Sequence, residues 1–347
     1  MSRAPRAAAL AVVALLAAPA RSLETDQFYA WMAPLSDSSE AVNEHVNAEI
    51  DQVLRRVNVR PDCPCTTARQ AIQRHLHYPF ISQVELWIVN TPGVSRFPRT
   101  SAEEKTFRQT YLYRGRSPFD PVRWMPASPT IEIGGIRLGA DKLGHFFSVG
   151  GWIEGPYRRA IEKGASPDDA VEQAIVAGLR AERTILGGGA SGVVSPADLE
   201  ANYQGLLFYR SLCDGPEPAL VHDSDWWRLA KRFDLREYVT PEWDESWQPN
   251  IYAKSRWAKI KPTMEAYCGE LDDPRVQAQR SAYAKRDAKT PTETLIERMV
   301  ASGKLEDPRR FSIDVSRAVD RDRVFGVHWD SQRKGLRSTN DYGDESR

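Results

Sequence analysis

The sequence predicts a mainly α protein: a three-helix central core with a short β-hairpin and peripheral helices and loops. Apolar residues recur at helical spacing in several stretches, cap-and-start signals open three consecutive helices between residues 141 and 213, and alternating stretches are few and short. The chain has 347 residues, 41% hydrophobic and 27% charged, enough for one large or two ordinary globular domains. That composition excludes collagen-like, coiled-coil and wholly disordered chains. The 47 basic residues equal the 47 acidic ones, so there is no surplus of positive charge to neutralise phosphates, and nucleic acid drops out as a partner.

Residues 1–22 read as an export signal. Arg3 and Arg6 form a basic start, Ala7 to Ala18 is apolar, and Ala20-Arg21-Ser22 offers small residues at the positions a signal peptidase reads. Loss of this leader leaves 44 basic against 47 acidic residues. Its 12-residue apolar run is below the ~20 needed to span a bilayer, and no later stretch comes closer, so no transmembrane segment is expected in the mature chain. No cysteine near the cleavage point offers a lipid attachment site, so a periplasmic or secreted location is expected.

A wrapper of helices and loops is expected over residues 23–129. Val42, Val46, Ile50, Val53, Leu54 and Val57 mark an amphipathic helix over 36–58, capped by one of Ser36, Asp37, Ser38 or Ser39. Asn43 and Asn47 lie one turn apart beside its apolar stripe, as a polar border or a ligand contact. His75 and His77 would make a metal pair only on a strand, where positions two apart share a face. Residues 90–130 are broken by prolines around one helix near 102–113. Cys63, Cys65, Cys213 and Cys268 suggest two disulfides in an exported chain. Cys63 and Cys65 are too close to pair, so each should reach Cys213 or Cys268; a zinc site is the alternative.

The central segment spans 130–213. Residues 130–138 alternate about Gly134-Gly135, which reads as a hairpin. Asp141 can cap a helix from Lys142, interrupted near Gly155-Pro156. Ser166-Pro167-Asp168-Asp169 starts a second helix, ending at Gly187-Gly188-Gly189. Ser195-Pro196-Ala197-Asp198 starts a third, running to about Cys213. Residues 214–270 hold Trp226, Trp227, Trp243, Trp247 and Trp257, either buried anchors or rings that stack on sugars. The charged region 271–347 should lie on the surface, its helix at 292–301 included, with 331–347 disordered.

Seven polar residues in the central segment form the candidate ligand site: Asp141, Lys142, His145, Glu182, Arg183, Asp198 and Asn202. Asp141 and His145 share one helical face, as do Asp198 and Asn202, and Glu182 falls on an apolar stripe where an unpaired carboxylate is costly. Asp141, His145, Glu182 and Asp198 have the donor types for a divalent metal.

These residues carry a resemblance. Asp141-Lys142-Leu143-Gly144-His145-Phe146, then Glu182, then Asp198 through Gly205 resemble the D-K-x-x-H-F, E, D-x-x-x-N-x-x-G pattern of VanZ-like proteins and of a related exported lipoprotein family, over about residues 136–212. Leu23 to Phe28, Ala181-Glu182-Arg183 and Asn202 to Gly205 also resemble an uncharacterised family of exported bacterial proteins. The resemblance implies a shared three-helix polar core and an envelope location, and supplies no reaction.

Three functions follow as expectations. The chain is an exported envelope protein whose polar pocket binds a small or lipid-linked envelope ligand, a metal-dependent hydrolase using the same cluster, or a carbohydrate-binding protein using its tryptophans. Against hydrolysis, H-E-x-x-H and G-x-S-x-G are absent; Gly187 to Gly192 lacks the lysine of a phosphate loop.

Overall fold

The computed structural model describes residues 23–60, 62–78, 81–113, 127–188, 191–223, 226–286 and 288–311. The expected export signal at residues 1–22 and the expected disorder of 331–347 fall outside the described residues. The protein is mainly α, with short sheets, and among the described residues no helix is long and apolar enough to cross a membrane.

Helix α1 (Ser39–Val57) buries Val42, Val46, Ile50, Val53 and Leu54, the stripe read from the sequence. Asn43 and Asn47 are buried beside it and contact protein backbone. Asn47 Oδ1 accepts from the Phe233 N–H (2.9 Å) while its amide donates to the Phe233 carbonyl (2.8 Å). Asn43 Oδ1 accepts likewise from the Leu235 N–H (2.8 Å). Two amides thus pin a segment nearly two hundred residues away. Helix α2 (Cys65–Leu76) follows, and His77 begins strand β1 (His77–Tyr78), so His75 and His77 do not form a strand pair. His75 Nε2 is instead 2.5 Å from Glu49 Oε2.

Helix α3 spans Gln83–Asn90. Thr100 and Glu103 make a reciprocal capping box for helix α4 (Ser101–Thr110). Strands β2 (Thr130–Ile133) and β3 (Ile136–Gly139) form the expected hairpin around Gly134 and Gly135, both at positive φ. The hairpin leads directly into helix α5 (Asp141–Gly144), which continues as a π-helical turn (His145–Val149) and helix α6 (Gly150–Glu162). The irregularity is therefore this wide turn; Pro156 sits inside continuous helix, which corrects the expected interruption at Gly155-Pro156. Helix α7 (Pro167–Ala181) also ends in a π-helical turn, Glu182–Leu186, and helix α8 spans Pro196–Ser211.

Helices α6, α7 and α8 pack on one another around Ile153, Tyr157, Ala170, Ala174 and Leu206. The larger apolar cluster lies elsewhere: α1, α2 and the hairpin meet Phe146, Phe147, Phe208, Phe233 and Trp243. Gly150 and Gly205 make the close approach of α6 and α8 possible. A methyl on Gly205 would overlap the Phe146 carbonyl, and one on Gly150 would overlap Gly205 itself.

The tryptophan layer is mostly interior. Trp243 is 0% exposed, and Trp227 and Trp247 are also buried, while Trp226 is 59% exposed. The buried rings are anchors, so among the described residues this layer offers no pair of exposed rings as a platform for a sugar. The region beyond 271 also packs more than its charge suggests. Helix α9 (Pro274–Arg286) buries Tyr283, and helix α10 (Pro291–Ala301) buries Leu295 and Ile296, with Ile296 against Leu179 and Leu199. Burying an aliphatic side chain stabilises by ~1.5–3 kcal/mol, enough to overcome the polarity of the opposite helix face.

One disulfide, Cys65–Cys213, is present instead of two. Cys63 packs against the large core, whereas Cys268 is buried in a second cluster with Phe28, Met264 and Tyr267, so they lie in different parts of the fold. Cys65→Ser should lower unfolding stability by about 2–5 kcal/mol, because the bridge closes a 148-residue separation. Urea denaturation checks this; a loss below ~1 kcal/mol would show the bridge to be dispensable.

Asp26, in the N-terminal segment, accepts hydrogen bonds from the Tyr29 N–H (3.1 Å), the Leu112 N–H (2.9 Å) and the Tyr267 hydroxyl (3.0 Å). Burial outweighs these donors and pushes its carboxyl up from 3.8 to about 6. A raised carboxyl favours the folded state fully below pH ~4 and loses that contribution as pH rises through about 6. The stability difference between wild type and Asp26→Asn should therefore change by roughly 2 kcal/mol between pH 4 and pH 7. A constant difference across that range would contradict it.

Candidate functional site

The hairpin delivers Asp141 and Lys142 into the interior at the start of α5. Asp141 is the first helical residue rather than the cap. Its carboxylate turns away from the helix end, accepts from Thr25 Oγ1 (2.7 Å) and pairs with Lys142 Nζ (2.9 Å), while its own N–H donates to Ser128 Oγ (2.8 Å). The Lys142 side chain is 0% exposed, and its ammonium also lies 2.6 Å from Asp198 Oδ1 and 2.5 Å from Glu245 Oε1. Three carboxylates surround one ammonium: Asp141 and Glu245 accept hydrogen bonds from it, and Asp198 pairs with it by charge.

Helix α8 supplies Asp198 through its cap. Ser195 Oγ accepts from the Asp198 N–H (3.2 Å), which places Asp198 in the first turn facing α5. Its second oxygen lies 3.2 Å from His145 Nε2, and Asn202, one turn on, presents Oδ1 3.1 Å from His145 Nδ1. Asp198 thus bridges ammonium and imidazole. In this arrangement Nδ1 carries the hydrogen, and a neutral ring turns the Nε2 lone pair toward Asp198. Only a proton or a cation between them makes that approach favourable.

Glu182 opens the π-helical turn after α7 and is completely buried. The Ser195 backbone N–H faces it and favours its ionised form, but no hydrogen bond of ordinary geometry reaches either carboxylate oxygen among the described residues. Burial, reinforced by the negative charge of Asp198, holds its carboxyl well above the usual range despite Lys142. A methyl at Gly187 would overlap this carboxylate, so only glycine lets the chain close over it. Both His145 and Glu182 begin wide turns, a local distortion frequent at functional sites.

Among the described residues, two carboxylate-containing triads have ligand atoms mutually within 4.8 Å: His145, Glu182 and Asp198; and Asp141, Asp198 and Glu245. The second already surrounds the Lys142 ammonium. The first has the mixed imidazole and carboxylate donors of a divalent transition-metal site, and the Glu182 oxygens without hydrogen-bond partners fit such an ion. Asp141, one of the four metal ligands expected from the sequence, belongs instead with the ammonium.

Six of the seven expected site residues thus come together. Arg183 does not: it is exposed and its guanidinium reaches the Lys304 carbonyl (3.5 Å), because the residue after Glu182 points to another side of the turn.

Glu245 is the member the sequence reading missed. Its Oε2 accepts from the Tyr113 hydroxyl (3.0 Å) and Asn250 Nδ2 (2.8 Å), Oε1 also accepts from Ser195 Oγ (3.2 Å), and its N–H donates to Gln27 Oε1 (2.6 Å). Burial pushes its carboxyl up to about 7 against the pull of Lys142. The available signal was Trp243-Asp244-Glu245-Ser246-Trp247, two adjacent acids enclosed by two tryptophans.

No family model matches the chain, and neither a curated protein nor a solved structure does.

Proposed function

We propose that this is an exported envelope protein that binds a divalent cation through His145, Glu182 and Asp198 and uses it for hydrolysis. The observation that carries the reading is Glu182, a wholly buried carboxylate with no ordinary hydrogen bond to either oxygen, placed beside an imidazole nitrogen and a second carboxylate. A bound divalent ion would make water a nucleophile at neutral pH. Asn202 sets the imidazole tautomer, Lys142 holds Asp198 from behind, and Glu245 fixes Lys142. His145, with 17% of its side chain exposed against 2% for Asp198, gives the triad its route to solvent.

The envelope location rests on the leader-like residues 1–22, the VanZ-like residue pattern and a disulfide that suits an oxidising compartment. A metal-free envelope-ligand pocket is the competing reading, with Glu182 kept protonated by burial.

Elemental analysis of the mature protein, isolated from its native compartment without chelator, separates the readings. About one zinc or manganese ion per chain, lost in His145→Ala with helical circular dichroism unchanged, is expected. Wild-type protein that stays metal-free after dialysis against either ion would overturn the metal reading.

A further inference from the structure

A second feature, independent of the buried cluster, lies between the end of α1 and helix α2. A groove of about 750 Å³ has an apolar floor including Val53, Val57 and Ala71 and a rim carrying Arg56, Arg60 and Arg74; none of its lining residues is acidic. Arg60 and Arg74 are exposed, with no carboxylate partner among the described residues. Glu49 is engaged by His75 at the groove's edge (2.5 Å).

Two large apolar side chains project into solvent at the same end. Val59 is 80% exposed and Trp226 is 59% exposed. The Asn58 side chain brings them together: its Oδ1 accepts from the Trp227 N–H (2.8 Å) and its Nδ2 donates to the Trp227 carbonyl (3.1 Å), so each apolar residue is the chain neighbour of a bonded partner. The Trp227 indole also donates to the Cys63 carbonyl (3.2 Å), fixing the turn that carries the Cys63 thiol into the groove.

Guanidinium groups around an apolar floor match the two halves of an anionic amphiphile. The planar donor fork suits phosphate oxygens, the floor suits methylene groups, and an exposed tryptophan beside them suits the level of lipid headgroups. We infer that this face docks on an anionic membrane surface, with a phospholipid phosphate held between Arg60 and Arg74 and its upper acyl chain against Val53 and Val57. A soluble anion would use the arginines and leave the apolar floor, Val59 and Trp226 without a role; a neutral membrane would leave the arginines without one.

Co-sedimentation of the mature chain with vesicles tests this. Binding to phosphatidylglycerol-containing vesicles is expected to exceed binding to pure phosphatidylcholine vesicles and to weaken as salt is raised. Arg60→Gln with Arg74→Gln should reduce it about 25-fold, roughly fivefold for each arginine, while Lys105→Gln with Lys163→Gln, two exposed lysines on other elements, should leave it largely intact. The same vesicles should slow maleimide alkylation of Cys63. Equal binding to both vesicle types, no binding, or equal loss in the lysine pair would overturn the inference. So would protection of Cys63 by inorganic phosphate without vesicle binding, or a self-association abolished by Val59→Asp in protein that does not bind vesicles. All these substitutions are at exposed positions, and circular dichroism checks that the fold is intact.

Discussion

Lys142→Met is expected to lower unfolding stability by about 3–5 kcal/mol, the usual cost of removing one partner from a buried ionic group. Methionine fills a similar volume and keeps the helix, so the loss reports charge rather than packing. Without the ammonium, Asp141, Asp198 and Glu245 face one another in a site where Asp198 and Glu245 are 2% exposed. The variant should regain stability at acidic pH, where protonation relieves the repulsion, and Lys142→Met/Glu245→Gln should recover part of the loss at neutral pH. Urea denaturation at pH 5 and pH 7.5 measures all of this. A loss below ~1 kcal/mol would mean that the three carboxylates do not depend on the ammonium.

Glu182→Gln separates the two readings of the buried cluster more sharply. Glutamine has nearly the same shape but cannot supply a charged ligand. If Glu182 holds a divalent ion, a thousandfold excess of that ion over its Kd stabilises wild-type protein by ~4 kcal/mol, and the variant should lose most of this gain. If Glu182 is a buried neutral acid, the variant should match metal-free wild type or exceed it in stability, since no ionised form remains to be penalised. The readout is the thermal midpoint with and without zinc or manganese, alongside metal content. Full metal-dependent stabilisation of the variant would remove Glu182 from the ligand set.

Helical content was legible because periodicity and caps are local. The α1 stripe, the Ser166 and Ser195 caps and the Gly134-Gly135 hairpin involve residues within a few positions of one another, and the structure places each where that chemistry puts it. Local chemistry misplaced Asp141, which can cap a helix but has a stronger claim on it from Lys142 and Thr25, the latter over a hundred residues earlier. It also misjudged residues 292–301, where Leu295 is buried and Ile296 finds apolar partners on α7 and α8 that composition does not reveal.

Asp141 with His145, and Asp198 with Asn202, could be nominated from spacing, since i and i+4 positions share a helical face wherever the helix goes, and Glu182 from its place on an apolar stripe. Which of them meet depended on the assembled fold. Arg183 follows Glu182 in the chain yet faces outward, and Glu245 enters from an irregular segment with no periodicity to announce it. The cysteines show the same division. Their number and the leader-like start suggested oxidation, but only the packing of α2 against the end of α8 brought Cys65 to Cys213, leaving Cys63 beside the groove and Cys268 in a different apolar cluster. Hydrophobic period and capping act over a few residues and are written in order along the chain. Pairing of charges, amides and thiols requires distances of a few ångströms between segments far apart in sequence, and those distances exist only once the apolar faces have packed.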